Sequence, residues 1–203
     1  SDREPFLLAD AEASEADRAI ADHVASFIVE GSTLQTGIGG IPSRVARMLA
    51  ESDLGGFGVH SEMFTTGLMH LHKAGKVTNQ KGIYDGVSIT TFAAGTRELY
   101  DWLDENTEVA FLPVGIVNSP EVISRNPKMV SINGAIAVDL AGQAIADTIH
   151  GSQFSGIGGH EDFVASSGLE LEDRSLICLR STTMHGGELS SRINAKFPAG
   201  AII

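Results

Sequence analysis

Two near-identical turns punctuate the chain: Thr36-Gly37-Ile38-Gly39-Gly40 and Ser155-Gly156-Ile157-Gly158-Gly159. Each places a small hydroxyl residue before Gly-Ile-Gly-Gly and precedes a stretch that reads as a helix. Glycine lets backbone approach a ligand closely, and consecutive N–H groups at a helix start can face an anion. A single such turn is more often a plain tight turn; the repetition brings ligand-facing backbone level with that reading. Neither carries the GxGxxG spacing of a dinucleotide fold, because the glycines fall at 37, 39, 40 and at 156, 158, 159. A third motif, His60-Ser61-Glu62-Met63-Phe64, lies where a strand-like run meets a helix-like one. In open α/β sheets ligands bind beyond the carboxyl ends of the strands. Glu62 is placed to face one, either as nucleophile or base or, more blandly, as a solvated or helix-capping acid.

Other reactive side chains carry less. His60, His70 and His72 raise the question of a metal, but no HExxH motif exists and no cysteine joins them, so no metal is expected. Cys178, the single cysteine, lies in the apolar run Leu176–Leu179 and reads as a buried, inert thiol. The window Met63–Tyr84 holds no acidic residue but carries Lys73, Lys76 and Lys81. It is a basic loop that could meet phosphates, and we place it outside the site.

The elements that must position these groups follow from periodicity. Ser14–Glu30 reads as a helix with Ser14 as cap, Gly31 as stop, and Ile20, Val24, Phe27 and Ile28 on one face. Ser32–Thr36 is a short strand running into the first glycine turn, and Pro42 opens a helix carrying Val45, Met48 and Leu49. Phe57–Glu62 is strand-like and Met63–Lys73 helical. Val87–Phe92 is a strand ending at Ala93-Ala94-Gly95, Thr96 caps a helix through Asp104, and Val109–Val117 is a second apolar strand. Ser119-Pro120-Glu121 starts another helix. Met129–Leu140 and Gln143–Ile149 read as paired strands about Ala141-Gly142, and Ser175–Arg180 as a strand. Strands alternating with helices give an α/β class with a mostly parallel sheet and an antiparallel portion near 129–149. No linker or low-complexity stretch divides the chain, which reads as one domain.

Composition sets the outer limits. The 203 residues carry 14 Lys+Arg against 26 Asp+Glu, a net charge of −12, which argues against nucleic acid as a partner. A 42% apolar content with 20% charged residues excludes a disordered chain. No apolar run reaches the ~20 residues of a membrane span, no signal peptide is visible in the opening SDREPF, and a cytoplasmic location is the default expectation. Ala199–Ile203 ends the sequence on an apolar run, so a cut within a longer protein is expected.

With these motifs in hand, the chain resembles the acetyl-CoA hydrolase/CoA-transferase family, and within it the 4-hydroxybutyrate and butyryl-CoA:acetate CoA-transferases. The resemblance rests on Leu34-Gln-Thr-Gly-Ile-Gly-Gly-Ile-Pro42, His60–Phe64, Ser131-Ile-Asn-Gly-Ala135 with Val138–Gln143, and Ser155–Gly159 with Asp162-Phe163. These run in family order over residues 30–203. The resemblance implies a CoA-transferase-like, open, mostly parallel sheet flanked by helices, one half of a two-domain enzyme. Residues 1–30 would form an N-terminal segment with a lead-in helix, and 31–203 the C-terminal acetyl-CoA hydrolase/transferase domain, truncated at its end.

The resemblance also assigns roles. Glu62 matches the glutamate that attacks an acyl-CoA thioester and passes through a glutamyl-CoA thioester. A carboxylate suits this, being ionised at neutral pH without a base partner, provided proximity and oxyanion donors offset its weak nucleophilicity. Gln35, Thr36, Gly37, Ile38, Gly39, Asn133 and Gly156 match CoA-contacting positions, and the backbone N–H groups of Ile41 and Gly156 match the oxyanion hole. The implied partners are coenzyme A as acyl-CoA, a short-chain carboxylate such as acetate, the N-terminal half of the same enzyme, and a second copy in a dimer. Without that half, the chain alone is expected to fold but not to transfer CoA. An acyl-CoA hydrolase and a non-catalytic CoA-binding module are the alternatives. An NAD-binding domain ranks below both, lacking GxGxxG and the acidic residue that should follow.

Overall fold

The computed structural model describes residues 4–9, 12–149, 151–166, 170–199 and 201. Ser1–Arg3 of the opening segment and Gly200, Ile202 and Ile203 of the terminal apolar run therefore lie outside the described residues. The chain divides into two compact units, residues 1–133 with 159–176, and 134–158 with 177–203. Because each unit is assembled from two separate stretches, no linker marks the division in the sequence.

The first unit opens with α1 (Glu15–Ala25), started by a capping box in which the Ser14 hydroxyl accepts from Asp17 N and the Asp17 carboxylate accepts from Ser14 N. The helix ends five residues before the predicted stop, at a Ser26 cap. Phe27, expected on the buried face, is consequently 46% exposed, while Val24 and Ile28 are buried. Next come β1 (Thr33–Thr36), α2 (Gly40–Glu51) and β2 (Gly58–Val59). The run Met63–Lys73 is not one helix: β3 (Met63–Thr65) precedes α3 (Thr66–Lys73). Met63–Thr65 stay extended because they pair in parallel with β5 (Phe92–Ala94), which follows β4 (Ser88–Thr90). The Thr65 hydroxyl then caps α3 by accepting from Leu68 N.

After α4 (Arg97–Leu103), β6 (Val109–Phe111) pairs in parallel with β4. The predicted strand Val109–Val117 stops at Phe111, because Pro113 cannot donate to a ladder and instead caps the single turn α5 (Val114–Val117). α6 (Pro120–Ile123) has Pro120 in its first turn, and β7 (Met129–Gly134) returns to the sheet. β1 pairs in parallel with both β2 and β7, Leu34 standing opposite Val59 and Val130. All three residues are fully buried. A parallel bridge from His60 to Ile89 carries the sheet on towards β4.

Met129–Leu140 likewise breaks into two strands. β7 ends at Gly134, and β8 (Ala137–Asp139) forms the expected antiparallel hairpin with β9 (Ala144–Ile145) in the second unit. β10 (Thr148–Ile149) and β11 (Ser152–Gln153) make another short hairpin. The chain re-enters the first unit with α7 (His160–Ser166) and β12 (Arg174–Cys178), which completes the sheet order β12-β7-β1-β2. It finishes in the second unit with the hairpin β13 (Thr182–His185) and β14 (Glu188–Ser191), and with β15 (Ile193–Asn194), parallel to β8. In the first unit a cluster of Val117, Ile123, Met129 and Phe163 packs α5, α6 and α7 against the start of β7. Truncating Phe163 to Ala would cost ~3–5 kcal/mol of burial and cavity energy. That cluster matters because it fixes the residue after Val117.

Candidate active site

Glu62 sits between two parallel strand pairs, where the chain leaves β2 and enters β3. Its backbone carbonyl accepts from Thr91 N at 2.9 Å, Phe92 N at 3.3 Å and the Thr90 hydroxyl at 2.9 Å. The main chain is therefore fixed and the side chain is half-buried. Its carboxylate Oε2 accepts a hydrogen bond from Asn118 Nδ2 at 2.7 Å. The same Nδ2 donates to Asp162 Oδ2 at 3.1 Å, so one amide bridges two carboxylates contributed by α7 and the strand end. Asn118 is buried, and its Oδ1 has no hydrogen-bond partner among the described residues.

Asn118 is itself held by the residues around it. The imidazole of His60, fully buried, places Nε2 2.7 Å from the Val117 carbonyl. Asn126 Nδ2 stands 2.8 Å from Nδ1. A carbonyl can only accept and an amide nitrogen donates here, so the network assigns the neutral tautomer with its proton on Nε2. Burial holds the His60 pKa below its ordinary value, consistent with that state. Phe163 meets the ring edge-on, with centroids 6.0 Å apart. His60 thus works as a strut between the strand that carries Glu62 and the turn that carries Asn118.

The second glycine turn enters the same site through its last residue. Gly159 is buried against the carboxylate: a Cβ there would overlap Glu62 Oε2 and Asn118 Nδ2 and stand 2.7 Å from Glu62 Cδ. Only hydrogen fits. Gly156 belongs to the second unit, where it is exposed and a Cβ would meet nothing within 4 Å.

The first glycine turn lies at the same end of the sheet as Glu62. The Ser61 hydroxyl accepts from Thr36 N at 3.4 Å and donates to Met63 O at 2.7 Å, while the Thr36 and Thr65 hydroxyls are 3.4 Å apart. Gly39 is the N-cap of α2 with φ +125°, a conformation that favours glycine. The N–H groups of Gly40 and Ile41 fall in the first turn and have no carbonyl four residues back within the helix. Pro42, next in line, has no N–H to leave unpaired. Gly37, Ile38, Gly39, Ser43, Thr65 and Thr66 line a pocket of about 200 Å³ beside this turn.

Gln35 and Asn133 are brought together although 98 residues separate them. Gln35 Nε2 donates to Asn133 Oδ1 at 3.0 Å and Asn133 Nδ2 donates back to Gln35 Oε1 at 2.9 Å. Each amide keeps one further N–H, and both residues are buried at the ends of β1 and β7.

The basic window does not present a cationic face. Lys73 pairs with Glu98 at 2.5 Å, and Lys76 donates to Ser52 O at 2.5 Å. Lys81 is buried, donating to the carbonyls of Tyr84 at 2.9 Å and Val87 at 2.6 Å; burial lowers its pKa to about 8. His72 is occupied elsewhere too, its Nε2 lying 2.8 Å from the Ser88 hydroxyl. Among the described residues no group of three His, Cys, Asp or Glu could hold a metal ion. Burial raises the Cys178 thiol to about 11. Among the described residues, no helix is long and apolar enough to cross a membrane. Asn118 escaped the sequence reading, in which Val117-Asn118-Ser119-Pro120 was merely the end of a strand and a cap. No local spacing announces an amide that acts on a residue 56 positions away.

Comparison with known proteins bears on this arrangement. The acetyl-CoA hydrolase/transferase C-terminal domain family matches residues 95–203. The butyryl-CoA:acetate CoA-transferase of Anaerostipes caccae is 40% identical over 193 residues, covering 94% of this chain and 43% of the relative. Two solved structures are similar at 33% identity: RipA from Yersinia pestis (TM-score 0.86, 94% of this chain and 43% of that one) and the 4-hydroxybutyrate CoA-transferase of Porphyromonas gingivalis (TM-score 0.80, 96% and 46%). The chain spans less than half the length of the relatives it matches.

Proposed function

Because the chain belongs to the acetyl-CoA hydrolase/transferase family, we propose that it carries the nucleophilic half of a CoA-transferase acting on a short-chain acyl-CoA, of the 4-hydroxybutyryl or butyryl type, and a carboxylate such as acetate. One observation carries the reading. A glutamate carboxylate is pinned by an amide at a sheet end, with a glycine packed directly against it.

In this reading a Glu62 carboxylate oxygen attacks the thioester carbonyl. The carbonyl oxygen becomes an oxyanion, which the Ile41 N–H faces, and the C–S bond breaks to release CoA thiolate. The acyl group is left as a mixed anhydride on Glu62. The thiolate then attacks the glutamyl carbonyl, the anhydride C–O bond breaks, and the first acid departs as carboxylate. Glu62 now holds CoA as a thioester, and an incoming carboxylate reverses the two steps. No proton need be transferred, which fits a neutral His60 engaged at both nitrogens. Asn118 fixes the attacking carboxylate, and a misplacement on the order of 1 Å would cost ~10²-fold in rate. Gln35 and Asn133, each with an N–H to spare, are proposed CoA contacts together with the Thr36–Gly39 backbone.

The test is made on the full-length protein, since the family relatives are about twice as long. Incubation with acyl-CoA without acceptor, followed by intact and peptide mass spectrometry, should show CoA joined through a thioester at Glu62. Glu62→Ala should abolish both adduct and transfer while still binding CoA. Turnover with no adduct, or near-native transfer by Glu62→Ala, would overturn the mechanism. Acyl-CoA cleavage independent of any acceptor would instead identify the hydrolase.

A further inference from the structure

Beside α1 and α2, adjoining the pocket at Gly37–Gly39 through Ser43, lies a concavity of about 550 Å³ lined by Glu12, Ala13, Arg18, Gly40, Ser43, Arg44 and Arg47. Three of the nine arginines of a chain with net charge −12 converge on it. Several other cations of this unit have partners, Lys73 with Glu98, Arg97 with Glu4, Lys128 with Glu172, and Lys81 with backbone carbonyls, whereas exposed Arg125 has none among the described residues and does not line the concavity. Arg18, Arg44 and Arg47 make no side-chain hydrogen bond or ion pair among the described residues. This is not for lack of nearby acids. Arg18 has Asp22 and Arg47 has Glu51 four residues on, the spacing at which helix surface pairs form. Both residues line the concavity instead. Arg44 is half-buried, and its Nε is shielded from solvent with no acceptor. A buried donor left unpaired costs free energy that a bound acceptor would recover.

The charge balance selects the acceptor. Three arginines and Glu12 leave a formal +2 around the concavity. Of the acids near the concavity that do not line it, Asp17 stands 3.4 Å from where a Gly40 Cβ would lie and accepts from Ser14 N and its hydroxyl, and Asp22 and Glu51 lie one helical turn on from Arg18 and Arg47. A carboxylate ligand would neutralise only half of that excess. A phosphomonoester carries ~−1.5 to −2 and offers three acceptor oxygens to forked donors. We propose that Arg18, Arg44 and Arg47 form a binding site for a phosphate group, with Ser43 supplying a hydroxyl at its edge. The proposal stands independently of the CoA-transferase reading. The phosphate belongs either to CoA itself or to a separate phosphorylated metabolite, and the chemistry of recognition is the same.

Calorimetric titration of the full-length protein with inorganic phosphate, pyrophosphate, CoA and dephospho-CoA tests it. Saturable binding of phosphate or pyrophosphate is expected, weakened about tenfold or more by Arg44→Gln with Arg47→Gln, at unchanged melting temperature. If the double variant does not fold, Arg47→Gln alone, on an exposed side chain, gives the reading. Displacement of pyrophosphate by CoA but poorly by dephospho-CoA assigns the site to the CoA 3′-phosphate. Pyrophosphate binding unaffected by saturating CoA assigns it to a separate ligand. Absence of saturable binding of phosphate, pyrophosphate and CoA up to ~10 mM overturns the proposal. So do affinities unchanged by the arginine substitutions, or an equal loss from Lys128→Gln at a distant paired lysine.

Discussion

Gly159→Ala tests the geometry around Glu62 more sharply than removal of the glutamate does. The added methyl carbon would overlap Glu62 Oε2 and Asn118 Nδ2 and lie 2.7 Å from Glu62 Cδ, where ordinary contact begins at 3.4 Å. Cδ must therefore retreat by 0.7 Å and the nearer carboxylate oxygen by more than that, and the amide must give way with them. Gly159 does not have a positive φ, so the penalty is steric rather than a matter of backbone strain. Overpacking of this kind costs ~1–3 kcal/mol of stability, and a nucleophile displaced on the order of 1 Å loses ~10²-fold in rate. The assay is acyl-CoA:carboxylate exchange by the full-length protein, paired with denaturant unfolding. Gly115→Ala serves as control, since a Cβ there meets nothing within 4 Å. A double-mutant cycle isolates the cause: in a Glu62→Ala background the stability cost of Gly159→Ala should shrink, because two of the three nearest atoms are gone. A Gly159→Ala variant with native stability and near-native exchange would show that Gly159 does not abut the carboxylate, and the glycine wall of the site would have to be abandoned.

Two further outcomes are expected. Asn118→Ala removes the donor shared by Glu62 and Asp162; exchange should fall ~10–10²-fold with CoA affinity retained, and equal losses in both would mean that Asn118 is merely structural. Stability should fall as pH drops below 6.5, because burial lowers the His60 and His72 pKa values in the folded protein, so the unfolded chain binds more protons in that window. The urea midpoint measured between pH 7.5 and 5.5 should decline, and His60→Gln, whatever its cost at pH 7.5, should flatten the decline; an unchanged slope would contradict a neutral buried His60.

The sequence by itself determined the alternation of strands and helices, the helix cap at Ser14, both glycine turns, and Glu62 as the carboxylate at a strand end. Each is written in local chemistry: a period of 2 or 3.6, a capping hydroxyl, or a residue that only glycine can replace. Where local pattern failed, a distant partner had overruled it. Met63–Thr65 look helical by continuity with Leu68 and Leu71, yet pairing with Phe92–Ala94 keeps them extended. Val109–Val117 look like one strand by hydrophobicity, but Pro113 ends it and the apolar residues beyond serve a core built with Phe163. The environment of Glu62 was decided only by tertiary structure. Asn118, Asp162 and Gly159 reach it from 56 to 100 residues away, through the packing of α5, α6 and α7 on the sheet. The same holds for the three arginines, which are ordinary helix-surface cations in sequence and share one concavity only because α1 packs beside α2. Contacts across such separations leave no periodic trace, because their energy depends on where two elements meet and not on what either contains.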